Sequence, residues 1–101
     1  MSIIEGNSEN FETEVIRASG PVLVDFNATW CPPCRALEPT LEELADEGYK
    51  IISVDVDAEA ALATSYGVSS IPCLVFFKDG AEYDRRVGLQ PKKRLIKILE
   101  A

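Results

Sequence analysis

Apolar residues in this chain fall into short continuous runs, separated by stretches in which they recur at helical spacing. Val22 to Phe26 is almost unbroken, as a central strand covered on both faces requires. Ile51 to Val56 reads as a second strand and Cys73 to Phe77 as a third. Asp79-Gly80 then predicts a tight turn into a hairpin partner around Glu82 to Val87. Residues near Ile3 to Glu5 suit a short edge strand. Between these runs, Phe11, Val15 and Ile16 predict a first helix, with Asn7, Ser8 and Asn10 as N-caps and Gly20-Pro21 as its stop. A longer helix from about Pro33 carries Leu37, Leu41, Leu44 and Ala45 on one side and closes at Gly48. Pro39 lies inside it and lacks the N–H for an i−4 bond, so a kink is expected. Ala58 to Tyr66 predicts a short helix closed by Gly67, and a last helix from about Pro91 buries Leu95, Ile98 and Leu99. Lys92, Lys93 and Arg94 in its first turn oppose the helix dipole, so packing must hold it. The order β-α-β-α-β-α-β-β-α predicts an α/β domain: a mixed sheet of about five strands flanked by four helices. Right-handed crossovers place the end of the Val22–Phe26 strand at the rim of that sheet.

Composition narrows the chemistry mainly by exclusion. A chain of 101 residues, 47% apolar and 27% charged, without repeats or linkers, is expected to be one domain over residues 1–101. Seventeen acidic against ten basic side chains leave a net charge of −7, which repels phosphate backbones and argues against nucleic-acid binding. The absence of histidine removes Cys–His and Ser–His dyads and most zinc and haem sites. Met1-Ser2-Ile3-Ile4-Glu5-Gly6 has neither a basic segment nor a sustained apolar stretch, so no signal peptide is expected. No run approaches the roughly 20 apolar residues of a membrane span, and the expected compartment is the cytoplasm. Disulfides there are mostly transient and catalytic, which suits three cysteines read as one pair plus one left over.

The pair is Cys31-Pro32-Pro33-Cys34, set between an apolar strand and an amphipathic helix. Zinc knuckles share the spacing, but zinc needs four ligands, and even with Cys73 only three sulfurs are at hand. In a strand–helix context, C-x-x-C reads as redox chemistry. Cys31 sits where the helix begins, so backbone N–H groups and the dipole favour its thiolate. A thiol lowered from about 8.5 to about 7 gains roughly 2 kcal/mol of thiolate preference. Asp25 is the odd residue in its apolar strand, and a buried carboxylate is expensive enough to ask for a reason.

Val22-Leu23-Val24-Asp25-Phe26, Trp30-Cys31-Pro32-Pro33-Cys34, Ile71-Pro72 and Lys78-Asp79-Gly80 together resemble the successive landmarks of the thioredoxin family, from about Asn10 to the C-terminus. The resemblance implies a thioredoxin fold and a monomeric thiol–disulfide oxidoreductase. It would reduce client-protein disulfides through Cys31 and Cys34, without other cofactor or metal, and be recharged by a thioredoxin reductase. Cys31, partly exposed, would attack, and the more buried Cys34 would resolve the mixed disulfide. Asp25 would be a buried acid, its pKa raised, accepting the Cys34 proton through water; an Asp turned to a wet strand edge is the plain alternative. Pro72 would be cis, presenting the Ile71 backbone to a substrate segment. Trp30, Pro32, Pro33 and Gly88 would border the substrate, with Gly67, Val68 and Leu89 either completing that surface or serving only their turns.

The chain also departs from the family pattern. Pro32 stands where glycine is usual; a second proline stiffens the turn and removes a donor to the Cys31 sulfur, both pointing to a more reducing couple. Ser53 replaces a common lysine near Asp25, and Asn27 replaces an aromatic, implying looser packing under the turn. Cys73 stands where threonine is usual, either as a compact buried residue or as a third redox thiol. Two other functions stay open at this point. One is a dedicated electron donor to one enzyme such as a peroxidase, since CPPC also resembles tryparedoxins. The other is a thioredoxin-like binding module whose cysteines matter little.

Overall fold

Pro21–Asn27 forms the middle strand of a five-stranded sheet in the computed structural model, which describes residues 2–101. Counted along the chain this strand is β2, with β1 at Ile4–Glu5, β3 at Lys50–Asp55, β4 at Cys73–Lys78 and β5 at Ala81–Val87. The spatial order is β1-β3-β2-β4-β5. β2 runs parallel to β3 and antiparallel to β4, so the sheet is mixed as expected. β1 is the short edge strand, parallel to β3. Asp79 and Gly80 both take positive φ, 53° and 82°, which is the type I′ geometry that joins β4 to β5.

Strand alternation divides the core into two layers. Val22, Val24, Phe26, Ile52, Val54, Cys73, Val75 and Phe77 pack on one face with Phe11 and Val15. Leu23, Ile51, Leu74 and Phe76 pack on the other face against two helices, α1 at Pro32–Asp46 and α3 at Lys92–Leu99. Leu37, Leu41, Leu44 and Ala45 form the buried side of α1. This helix continues through Pro39 and stops at Gly48, whose N–H donates to the Ala45 carbonyl at a φ of 98°. The remaining short helix, α2, spans Ala60–Ser65 and is closed by Gly67.

One local feature differs from the sequence expectation, and a second adds to it. The first helix is a π-helical turn over Glu12–Ile16, in which the Arg17 N–H reaches the Glu12 carbonyl at 2.9 Å. Its apolar residues lie four and five apart, a spacing that i→i+5 bonding can turn toward one face. Its entry is fixed by reciprocal bonds: Asn7 Oδ1 accepts from the Asn10 N–H at 2.9 Å, and Asn10 Oδ1 from the Asn7 N–H at 2.8 Å. At α3, the basic first turn has an outlet across the helix pair, where Lys92 Nζ lies 2.9 Å from Glu43 Oε1 on α1 and also bonds Glu47, the C-cap of that helix.

Alanine at Gly80 must hold a positive φ and would place its Cβ 3.1 Å from the Ile16 carbonyl oxygen; Gly48, at φ 98°, has open space around it. Gly48→Ala should therefore cost about 1 kcal/mol of unfolding free energy and Gly80→Ala about 2 kcal/mol or more. Urea titrations with unchanged m-values check this, and equal losses would contradict the close approach.

Candidate active site

Beyond β2 the chain turns through Ala28 and Thr29 and enters α1 with Cys31 as N-cap, extended at φ −92° and ψ 109°. Cys31 Sγ accepts the Cys34 N–H at 3.3 Å. Pro32 and Pro33 fill the first two helical positions, where missing N–H groups cost little, and neither offers that sulfur a donor. Cys31 and Cys34 are joined as a disulfide with their Cα atoms 5.3 Å apart. Contrary to the sequence expectation, Cys31 is not partly exposed. It is 3% accessible against 4% for Cys34, because Ala28, Val56 and Ile71 pack around the pair. Exposure at the helix tip belongs instead to its neighbours Trp30, Pro32 and Pro33.

The chain segments facing this turn assemble the other expected residues. The Ile71–Pro72 bond is cis, Pro72 is buried, and its carbonyl accepts the Gly88 N–H at 2.8 Å. Trp30 is 65% exposed, and its Nε1 donates to Asp57 Oδ2 at 2.8 Å, which steadies the indole across the rim. Trp30, Val56, Val68, Ser69 and Ile71 line one small depression of about 180 Å³. Val87 and Leu89 are exposed apolar residues on either side of Gly88. Gly67 ends α2 with a φ of 66°.

Asp25 has the parity of Leu23, so β2 presents it to the α1 face. It is 3% exposed, which excludes the wet-edge alternative. Asp25 Oδ2 accepts from Asn27 Nδ2 at 3.1 Å, whereas Oδ1 has no hydrogen-bond partner among the described residues. A cavity of about 380 Å³ is lined by Asp25, Asn27, Cys34, Arg35, Glu38 and Ser53, among others. Burial pushes the Asp25 carboxyl from 3.8 up to about 7; the Asn27 bond pulls it down and the Glu38 charge adds a further push upward. Glu38 escaped the sequence reading, although its position four residues after Cys34 puts both on one helix face. Asn27 and Ser53, noted separately as departures, are in contact at 2.8 Å.

Cys73 is 2% exposed and begins β4 on the sheet face away from α1, among Phe11, Phe26 and Phe77. Burial pushes its thiol pKa up.

The thioredoxin family model matches residues 2–101. The chain belongs to the thioredoxin family. It is 50% identical over 95 residues to a thioredoxin of Chlamydia trachomatis, covering 92% of this chain and 91% of that protein. A thioredoxin of Staphylococcus epidermidis is 44% identical over 103 residues, covering 99% and 97%. Among solved structures, a point-mutant thioredoxin from Halobacterium salinarum superimposes with a TM-score of 0.91 at 37% identity, over 98% of this chain and 88% of that one. The sheet and its helices are thus a thioredoxin fold, and the chain is a thiol–disulfide oxidoreductase working through its own cysteine pair. Its general partners as a family member are disulfide substrates and a thioredoxin reductase. The relatives give no support to the peroxidase-donor or binding-module alternatives. Among the described residues no helix is long and apolar enough to cross a membrane.

The folded state keeps the Asp25 proton up to about pH 7, while the unfolded chain releases it near 3.8. Folded protein therefore binds more protons across that window, and the stability present below pH 3.8 is lost as pH rises toward 7. Asp25→Ala should accordingly unfold at higher urea than wild type at pH 8, by about 2–4 kcal/mol, with the gain shrinking or reversing at pH 4. A difference that does not vary with pH would contradict the raised carboxyl.

Proposed function

We propose that Cys31 attacks disulfides of client proteins, that Cys34 releases the client, and that Asp25 receives the proton Cys34 must lose. The observation that carries this reading is the shared cavity: Cys34 and Asp25 line one space directly behind the disulfide, while Cys31 caps the helix. In the reduced protein the helix N-terminus favours the Cys31 thiolate. Its sulfur bonds to one client sulfur as the client S–S bond breaks, and the first client thiolate departs and takes a proton from water. Cys34 then gives its proton to Asp25, through water, and attacks Cys31. The Cys31–Cys34 bond forms, the mixed disulfide breaks, and the second client thiolate leaves. Two electrons have moved from the protein to the client.

A carboxyl that titrates near 7 suits this task, being ionised enough to accept a proton and basic enough to hold it. The cis Ile71–Pro72 segment offers backbone for strand-like pairing, with Trp30, Pro32, Pro33, Val68, Gly88 and Leu89 bordering the client. Residues 1–101 act as one monomeric domain in the cytoplasm, recharged by a flavin-dependent thioredoxin reductase. Cys73 takes no part, since β4 turns it to the face opposite α1.

Insulin reduction driven by a chemical dithiol tests these assignments. Cys31→Ser should abolish catalysis, Cys34→Ser should stall as a trapped mixed disulfide, and Cys73→Ser should match wild type. Asp25→Ala should slow release of the mixed disulfide by about tenfold or more at pH 7. A Cys73 linked to Cys31 or Cys34 in the oxidised protein, seen by mass spectrometry, would overturn the silent role of Cys73.

A further inference from the structure

We propose that Asn27 is a positioning residue for Asp25: its side-chain amide, tied to the Ser53 hydroxyl on the neighbouring strand, holds one carboxyl oxygen and leaves the other free in a carboxyl that lines the Cys34 cavity. The inference deepens, and rests on, the proton-accepting role given to Asp25 above. Asp25 and Asn27 are two residues apart on β2 and so share the face toward α1. Asp25 is paired with Ser53 in the β2–β3 register, which brings that hydroxyl to the same face. Asn27 Nδ2 lies 3.1 Å from Asp25 Oδ2, 3.0 Å from the Asp25 carbonyl oxygen and 2.8 Å from Ser53 Oγ. These three oxygens fix the amide plane, and the amide in turn fixes the carboxyl rotamer. With Oδ2 engaged, Oδ1 is the oxygen left without a partner among the described residues.

Asn27 and Ser53 also line a second cavity, of about 450 Å³, together with Glu5, Asp55 and Glu59 among others. The amide and hydroxyl thus border both the Cys34 cavity and a second one with acidic lining.

The charge environment gives this amide a chemical consequence as well as a geometric one. From α1, Asp25 faces Cys34, Arg35, Glu38 and Glu42, which share its cavity; from β3 it faces Ser53, with Asp55 paired to Asn27; from β4, the Cys73 thiol feels its charge. Burial and the Glu38 carboxylate both favour the protonated acid, and the Asn27 donor opposes them by bonding the ionised form. Without that donor, less of Asp25 would be ionised at neutral pH and proton transfer from Cys34 would slow. The hydrogen bonds of the Asn27 amide go to Asp25 and Ser53, so it acts through Asp25.

The test separates positioning from space-filling. The carbon-13 shift of the Asp25 carboxyl is titrated in the oxidised protein for wild type, Asn27→Leu and Asn27→Ala. Release of a trapped mixed disulfide is followed from pH 6 to 9 in the same proteins and in Asp25→Ala. Leucine keeps the γ-branched outline of asparagine without the donor, and the smaller alanine serves should the bulkier leucine not be accommodated. Losing a hydrogen bond to a charged group should raise the Asp25 midpoint by about one pH unit. Release at pH 7 should then fall about fivefold and recover to within about twofold by pH 9. A midpoint and pH profile unmoved in both Asn27 variants, while Asp25→Ala still slows release, would overturn the positioning role. Conversely, a raised midpoint alongside normal release by Asp25→Ala at every pH would uphold the hold of Asn27 on the carboxyl and reject Asp25 as proton acceptor.

Discussion

Packing of α1 onto the face of the sheet that carries Leu23, Asp25, Ile51 and Ser53 is the constraint on which the site depends. Leu37, Leu41 and Leu44 are essentially fully buried there, and each such side chain contributes about 2 kcal/mol of transfer free energy. That contact sets the height and rotation of the helix. It leaves the first turn, with Cys31 and Cys34, over the C-terminal end of β2, and it places Cys34 and Glu38 in the cavity that Asp25 lines. α3 completes the layer with Leu95, Ile98 and Leu99, and Lys92 ties its start to Glu43 of α1 and to Glu47 at the C-cap of that helix. The redox turn is therefore held by leucines that take no part in the chemistry.

The same packing makes Asp25 costly. A carboxyl at 3% exposure, with one oxygen unpartnered among the described residues, is retained against the interest of stability, since the stability it gives when protonated is lost as pH rises from 3.8 to about 7. Asn27 and Ser53 offset part of that cost with a donor, not a full charge, so the acid stays near neutrality instead of being driven to its ordinary low range. A strong cation beside it would stabilise the carboxylate further and weaken it as a base. The residual cavity of about 380 Å³ is roomy enough for water, which a relay from Cys34 to Asp25 would need.

Much of the fold was legible because the periodic signals were strong. Val22 to Phe26 read as a central strand, Asp79-Gly80 as a hairpin turn, and Gly48 and Gly67 as helix stops; each sits where expected. Cys31-Pro32-Pro33-Cys34 stood out as a redox pair because it lies at a strand–helix junction, and Asp25 because a charge interrupts an apolar run. The first helix was harder: spacing alone does not separate i→i+4 from i→i+5 bonding over so few residues, and it proved π-helical. Cys31 was expected to be partly open as the attacking sulfur, first in the motif and at the start of the helix. Its burial comes from Ala28 beside it and from Val56 and Ile71, 25 and 40 residues away in the chain, which no local pattern reports.

What the chain determined by itself, then, were the elements and the identity of the reactive groups, since period, turn residues and the C-x-x-C spacing are local properties. Only the tertiary structure decided which of those groups meet. It paired Ser53 with Asp25 through strand register, joined Asn27 to both, brought Glu38 into the same cavity, and sent Cys73 to the opposite face. Those outcomes follow from how sheet faces alternate and how α1 rotates as its leucines bury. Both are set by the whole core at once, and so neither can be read from any one stretch of residues.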